Sequence, residues 1–221
     1  MAEEIRQNSK YFKVTKMKGG KEDMERKGNA FAIVLIVLGI ILFAGLVMFL
    51  WVMGSYNGLV SQDTKTQQLW GNVESAYQRR MDLIPNLVAT VQGSANFEKG
   101  TLLAVTEART KYLAATTVAD KQAAANQFDS ALSRLLVTVE AYPDLGTTAA
   151  FQSLQDELAG TENRIKWERD QYNSGARDYQ LKVRRFPTNI IAGMFGFDIN
   201  KWQTFKANDA ASVAPVVNFT G

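Results

Sequence analysis

Carboxylates are the side chains of this sequence with the widest scope for acid–base chemistry, because histidine and cysteine are both absent. Their absence excludes a Ser-His-Asp triad, a thiol nucleophile, a disulfide and the usual zinc sites. Asp156, Glu157 and Glu162 fall in one predicted helix, where two carboxylates could act as acid and base. Their spacing is equally that of a charged helix surface, and the sequence has no Gly-rich phosphate loop. We therefore expect no enzymatic activity, no cofactor, no metal and no small-molecule substrate.

A second set of charged residues interrupts the apolar pattern of two long predicted helices. If these helices pair antiparallel, Arg80 lies opposite Glu162. We predict a semi-buried ionic layer that fixes the register of the helices, since buried ion pairs add little net stability. A solvated helix surface is the alternative. The predicted ionic layer comprises Arg79, Arg80, Asp82, Glu162, Arg164 and Arg169.

The elements that position these residues begin with an apolar stretch at residues 30–53. It has 24 residues and no charge. At a rise of ~1.5 Å per residue, a helix of this length reaches about 36 Å, enough to cross a hydrocarbon core of ~30 Å. A buried core helix and a cleaved signal peptide are the alternatives, but the stretch is longer than the apolar part of a typical signal peptide. The pattern predicts a transmembrane helix that stays in place.

The basic residues of the chain are concentrated before this stretch. Residues 1–29 hold eight Lys or Arg side chains against five acids, and Lys65 is the first cation on the far side. The positive-inside rule then predicts a cytoplasmic N-terminus and places the remainder outside the cytoplasm. The tail has few apolar residues, so we expect it to be disordered. Because the basic excess belongs to the tail, we expect no nucleic-acid binding.

The remainder of the chain predicts an all-α fold, in which the transmembrane helix is followed by an antiparallel helical bundle at residues 54–186. Apolar residues at helical spacing predict long first and fourth helices and short second and third helices. Pro85 predicts a kink in the first bundle helix, and Gly54 and Gly58 allow a hinge before it. Thr117 and Asp120 have the spacing of a capping box that opens the third helix, and Pro187 ends the fourth.

The unequal helix lengths predict an exposed apolar stripe near the membrane. All four helices can share a core only in the half of the bundle away from the membrane. Near the membrane only the first and fourth helices are present, and two helices cannot enclose their apolar side chains. Such a stripe usually marks an interface, so we predict that copies of the chain pack together there. The predicted interface residues are Leu59, Leu69, Tyr172, Tyr179 and Val183.

Residues 187–221 form an apolar C-terminal segment and tail. The part up to residue 205 is rich in aromatic and aliphatic side chains and carries glycines. It follows a helix that has returned to the membrane surface. We expect it either to lie in the membrane interface or to cover the membrane-proximal parts of the first and fourth helices, and we favour the second.

The string RRMDLIPNLV at residues 79–88 is the most specific of several short strings by which this chain resembles the LemA family of single-pass bacterial membrane proteins. The family implies an N-terminal anchor, a helical bundle outside the membrane and no established enzymatic activity. Our chain departs from it in a longer N-terminal tail and a looser pattern at Gly175. The matching strings are residues 56–60 (YNGLV), Trp70, 79–88 (RRMDLIPNLV), 105–109 (VTEAR), 141–145 (AYPDL), 154–158 (LQDEL), 162–165 (ENRI), 172–173 (YN) and 186–193 (FPTNIIAG).

Two functions fit these expectations. The first is a self-assembling, membrane-anchored scaffold of the bacterial inner membrane, with a cytoplasmic N-terminus and its bundle on the periplasmic, extracytoplasmic side. Its partners are the lipid bilayer and further copies of the chain in a homo-oligomer. The second is a regulatory binding module or adaptor that docks an envelope protease, transporter or sensor. The sequence favours the first.

Overall fold

The protein is all-helical in the part of the chain that the structure describes. This computed structural model describes the backbone of residues 2–93 and 97–205 and the side chains of residues 33–93 and 97–205. The predicted fold class is confirmed. The helices are α1 (Ala2–Asp82), α2 (Ile84–Gln92), α3 (Lys99–Ala114), α4 (Val118–Val139), α5 (Pro143–Gly146), α6 (Ala149–Arg184) and α7 (Thr188–Phe195).

The chain divides into two compact units, of which the first, Met1–Ser55, contains the predicted anchor. Side chains 33–51 are all exposed. One helical stretch among the described residues, inside Ile33–Gln92, is long and apolar enough to cross a membrane by its length and composition. Gly54 and Gly58 are both helical, so the helix is not interrupted at the suggested hinge.

The backbone of residues 2–29 belongs to α1, although the sequence predicted a disordered tail. Most of the tail consists of Glu, Lys, Arg, Met and Gln, which are good helix formers. It also adjoins the apolar helix, and extending a helix costs far less than nucleating one. The basic side chains of the tail lie before residue 33, where the described side chains begin. Residues 206–221 also lie outside the described residues.

The second unit, Tyr56–Gly221, holds the helical bundle. The predicted irregularity at Pro85 is confirmed, because α1 ends at Asp82 and α2 begins at Ile84. Proline has no N–H to donate to the carbonyl oxygen of Met81. The guanidinium of Arg109 on α3 takes that place, with its Nε donating to the Met81 oxygen at 3.1 Å. The break is thereby tied to the neighbouring helix.

Two of the bundle helices, α4 and α6, begin at residues whose side chains cap them. The predicted cap of α4 is confirmed, because the Thr117 hydroxyl accepts a hydrogen bond from the Asp120 amide at 3.1 Å. Thr148 caps α6 in the same way, accepting from the Phe151 amide at 3.3 Å. Such caps satisfy helix amides that have no partner inside the helix.

Helices α1 and α6 run antiparallel, as three contacts along their length show. Lys182 Nζ donates to the Gly58 oxygen at 2.6 Å, and Thr66 Oγ donates to the Gly175 oxygen at 3.2 Å. Further from the anchor, the Arg80 guanidinium lies 3.4 Å from a Glu162 oxygen. Residue 175 is a glycine, and a Cβ there would lie 2.5 Å from Leu69 Cδ1, so the helices pack closely at this point.

The segment after α6 covers the lower part of the α1–α6 pair. Trp202 is 5% exposed and Phe205 is 8% exposed. The Trp202 indole Nε1 donates to Asp63 at 2.7 Å, and the Phe205 ring packs against Trp70 and Tyr172 with centroids 5.9 Å and 5.8 Å away. The segment therefore covers protein on this side.

This covering contradicts the predicted interface stripe. Leu59, Tyr172 and Tyr179 are 0% exposed and Val183 is 8% exposed, while Leu69 is half-buried. The prediction that these five residues stay exposed for another copy is wrong. Its premise was that two helices alone surround them, whereas α7 and residues 196–205 supply a third layer from the same chain.

Candidate functional site

In the described part of the bundle, several charged side chains are linked where α1, α4 and α6 meet. We call this set the Asp129 cluster: Tyr77 and Arg80 from α1, Asp129 from α4, and Glu162 and Arg169 from α6. The sequence folds this way locally because each charged residue flanks the apolar seam of its own helix. Each helix therefore packs its apolar residues into the core and holds its charged residue at the same height along the bundle.

Asp129 is the centre of the hydrogen bonding in the cluster. Its Oδ1 lies 3.2 Å from Arg80 Nη1, and its Oδ2 accepts from the Tyr77 hydroxyl at 2.8 Å. Arg169 Nη1 lies 3.4 Å from Oδ2 and also donates to the Tyr77 hydroxyl oxygen at 3.2 Å. The carboxylate thus joins two cations and a phenol from two other helices.

Burial is the largest cause of the pKa shifts of Asp129 and Tyr77. It raises the pKa of Asp129 above its ordinary value, while the Tyr77 hydrogen bond and the charges of Arg80 and Arg169 act in the opposite direction. Burial and the neighbouring Asp129 charge also raise the pKa of Tyr77. Tyr77 is therefore a neutral donor to Asp129 at physiological pH.

The structure brings together three members of the predicted ionic layer and separates the other three. Arg80, Glu162 and Arg169 lie in the cluster, whereas Arg79 and Asp82 are exposed on α1. Asp82 accepts instead from Gln78 at 2.8 Å. The register role of the layer stays a prediction.

Arg164, also predicted in the layer, pairs along its own helix. Its Nη2 lies 2.5 Å from Glu168, whose side chain is 1% exposed. Asp156 and Glu157, weighed as acid–base residues, are exposed on α6. Arg164, Asp156 and Glu157 therefore lie on the surface of α6 rather than in the cluster.

Sequence reasoning missed Asp129, which completes the cluster. The alignment of α1 with α6 could be predicted because each helix was expected to have one end at the membrane. No such constraint fixes the position of α4 along the bundle axis. A signal was present, since Asp129 and Asn126 lie three residues apart on one face of α4 beside the apolar seam. Arg169 Nη2 donates to the Asn126 side-chain oxygen at 3.2 Å.

A cleft of about 590 Å³ opens beside the cluster, a size within the range of ligand pockets. It is strongly polar, and its three basic and three acidic side chains balance in charge. The lining residues are Arg80, Asp129, Ser133, Glu162, Asn163, Ile165, Lys166, Arg169, Asp170, Asn173 and Phe205.

The chemistry available at this cleft is recognition by charge and hydrogen bonding. Asp129 is engaged by two guanidiniums and Tyr77, so its carboxylate is not free to take a substrate proton. Among the described residues, no group of three or more acidic side chains is placed to hold a metal ion.

Polar groups also attach the C-terminal segment beside the cleft. The oxygen of Gln203 accepts from the Tyr172 hydroxyl at 2.8 Å and from Gln122 Nε2 at 2.7 Å. Asn173 accepts from the Phe205 amide at 2.7 Å. Burial raises the pKa of Tyr172, which keeps its hydroxyl protonated as a donor.

Comparison with known proteins places this arrangement in a family. The family model of the LemA family matches residues 69–219, a range that contains all of the Asp129 cluster. The chain belongs to the LemA family. The match covers more than half of the sequence, and the resemblance read from the short strings is confirmed.

Curated relatives of this LemA-family chain align over most of its length. Magnetosome protein MamQ 1 and magnetosome protein MamQ 2 of Paramagnetospirillum magneticum are each 25% identical over 217 residues, covering 86% of this chain and 78% of the relative. Protein LemA of Metamycoplasma hominis is 28% identical over 180 residues, covering 80% of both chains. These relatives and the apolar helix fit a membrane-anchored protein.

Proposed function

We propose that this LemA-family chain is a membrane-anchored, non-catalytic adaptor whose bundle binds another protein of the bacterial envelope. The observation that carries the proposal is the closed core of the second unit. Residues 196–205 bury the aromatic side chains of α1 and α6, so the bundle does not need a second copy to cover them. A domain that is complete by itself is suited to present a surface to a different partner.

The surface that we assign to this partner is the cleft beside the Asp129 cluster. Its inner charges are paired, while Glu162 keeps 67% of its side chain exposed. Lys166 and Asp170 are exposed on the same helix and line the same cleft. Alternating charges of this kind favour a polar, charged segment of a partner, because complementary charges give specificity.

The proposed location is the inner membrane of a bacterium, with the anchor crossing it once. The excess of Lys and Arg before the apolar stretch favours a cytoplasmic N-terminus. The bundle then lies on the extracytoplasmic side, where an envelope protease, transporter or sensor is accessible to it.

Self-assembly stays a competing prediction, and one measurement separates it from the adaptor function. The full chain is purified in mild detergent and its mass is measured by light scattering. The adaptor predicts a small species with the mass of one chain plus its micelle. A discrete large particle would instead support the self-assembling scaffold.

Crosslinking in cells tests the partner surface. A photo-crosslinking amino acid replaces Lys166 in the cleft, and a matched variant carries it at exposed Lys111 on α3. We expect the first variant to trap a different envelope protein, and Glu162→Lys to reduce that product several-fold. Products made only of this chain, or equal products from both positions, would contradict the adaptor function.

A further inference from the structure

Helix α7 has apolar surface of which only a part is covered by protein. Ile191 and Ala192 are each 2% exposed and form the covered part. Uncovered apolar surface remains at Phe186, two residues before the helix, and at Ile190, Met194 and Phe195 within it, which are 75%, 54%, 76% and 52% exposed, with the Phe195 ring covered in part by Tyr56. We call these four residues the α7 patch. Met194 and Phe186 are the most exposed large apolar side chains among the described residues.

The α7 patch contacts Tyr56, the first residue of the second unit. The Phe195 ring packs on the Tyr56 ring with centroids 4.8 Å apart, and Phe197 contacts the same ring at 5.8 Å. Tyr56 follows Met53, the last residue of the apolar stretch, by three positions. Three residues span at most about 11 Å of chain. The contact of the patch with Tyr56 therefore lies only a short length of chain away from the end of the apolar stretch.

The charges around the patch are all of one sign along the chain. Residues 181–197 contain Lys182, Arg184 and Arg185 and no acidic residue. Lys182 is used within the fold, donating to the Gly58 oxygen at 2.6 Å. Arg184 and Arg185 are exposed immediately before Phe186. Exposed guanidiniums beside apolar side chains are suited to the phosphates of anionic lipids.

We propose that the α7 patch inserts into the headgroup region of the membrane beside the anchor, while Arg184 and Arg185 bind anionic lipid phosphates. This inference rests on the proposed membrane anchorage. A bilayer is favoured over a second copy of the chain because stable protein interfaces use about 20–30 residues a side, far more than the four of the patch. The same short helix thus covers the bundle with some of its side chains and enters lipid with others.

The absence of cysteine makes the test direct, because a single introduced cysteine can carry a fluorophore. The full chain with Met194→Cys is labelled with an environment-sensitive dye and reconstituted into vesicles of equal parts phosphatidylcholine and phosphatidylglycerol. Val137→Cys, at a site 65% exposed on α4, is the matched control. Vesicle flotation after carbonate washing establishes first that the anchor is inserted, so that a failure of anchorage is detected separately.

We expect quenchers placed near the lipid headgroups to reduce the emission of the label at position 194 several-fold, with a blue shift. The label at position 137 should stay unaffected. A label at position 194 that behaves like the control would overturn the proposal. So would a label that is shielded from aqueous quenchers yet untouched by lipid quenchers, because this result indicates a second copy of the chain.

The charge component is tested by Arg184→Glu with Arg185→Glu in the same labelled chain. Lipid quenching at position 194 should fall several-fold in the mixed vesicles and much less in vesicles of phosphatidylcholine alone. Equal effects in both lipids would show that the arginines do not bind anionic lipid. Intrinsic tryptophan emission is compared for each variant to establish that the bundle remains folded.

Discussion

Arg80 has a side chain that is only 7% exposed and contacts carboxylates from two other helices. Removing one partner of a fully buried pair costs about 3–5 kcal/mol, but water reaches Asp129 and Glu162 in part. We therefore expect Arg80→Met to lower the free energy of unfolding by about 2 kcal/mol. Chemical unfolding in mild detergent, followed by circular dichroism, measures the change.

The neighbouring residue supplies the control for this prediction. Arg79 is exposed, so Arg79→Met should change the free energy of unfolding by less than about 0.5 kcal/mol. A double-mutant cycle of Arg80 with Glu162 should give a coupling below about 1 kcal/mol, because Glu162 is 67% exposed. Equal losses for Arg79→Met and Arg80→Met would contradict the assignment of Arg80 to a buried cluster.

Asp129 predicts a pH dependence with a definite sign. Its pKa is raised in the folded protein, so the unfolded chain loses this proton at lower pH than the folded protein does. The contribution of Asp129 to stability is therefore full below its unfolded pKa and falls as the pH rises through its folded pKa. We expect the free energy of unfolding of the wild type, minus that of Asp129→Asn, to decrease over this range.

Unfolding curves of both proteins between acid and neutral pH test this sign. Asp129→Asn keeps the shape of the side chain and removes its titration, so other carboxylates cancel in the difference. A difference that increases with pH would show that Arg80 and Arg169 outweigh burial at Asp129.

At the scale of single elements, the closest contact of α1 with α6 lies at Gly175. A Cβ at this position would come within 2.5 Å of Leu69 Cδ1, so a side chain forces Leu69 to move. The gain in helix propensity from Gly to Ala, about 1 kcal/mol, is then outweighed by overpacking of about 1–3 kcal/mol. We expect Gly175→Ala to lower the free energy of unfolding by about 1 kcal/mol.

Gly160 on the same helix provides the comparison, because no atom lies within 4 Å of a Cβ added there. Gly160→Ala should raise the free energy of unfolding by about 0.5–1 kcal/mol. In a Leu69→Ala background, Gly175→Ala should also become stabilising. Stabilisation by Gly175→Ala alone would rule out the close contact.

The extent to which the elements were predictable follows from the range of the forces that form them. The Thr117 cap, the irregularity at Pro85 and the helical periodicity depend on neighbouring residues, so the sequence predicted them correctly. Arg80 was correctly placed opposite Glu162 because pairing the membrane ends of the two long helices fixes which of their residues lie side by side. The level of α4, and with it Asp129, depends on packing between distant segments that no local pattern encodes.

The error over the stripe has the same origin at the scale of the whole molecule. The apolar pattern correctly indicated that the five residues of the predicted interface avoid water. It does not indicate which segment covers them. Aromatic side chains after Pro187 were compatible with lipid and with protein. The structure shows that Trp202 and Phe205 cover protein, while Met194 faces outward.

The closure of the bundle by its C-terminal segment predicts a large cost for truncating one ring. Phe205 is 8% exposed and contacts Trp70, Tyr172 and the guanidinium of Arg169, which lies 4.1 Å from its ring centroid. We expect Phe205→Ala to lower the free energy of unfolding by about 3 kcal/mol. The same change at Leu181, which is 61% exposed, should cost less than about 0.5 kcal/mol. A small effect at Phe205, seen in the same unfolding experiment, would mean that the segment does not seal the core.

The contact between Trp202 and Asp63 joins residues 139 positions apart in the sequence. Because synthesis runs from the N-terminus, nearly the whole chain is made before this contact can form. Translation that stops ahead of residue 202 leaves Trp70 and Tyr172 without their cover. The bundle therefore cannot close before residues 202–205 have been synthesised, and a shorter nascent chain exposes apolar side chains that chaperones and proteases recognise.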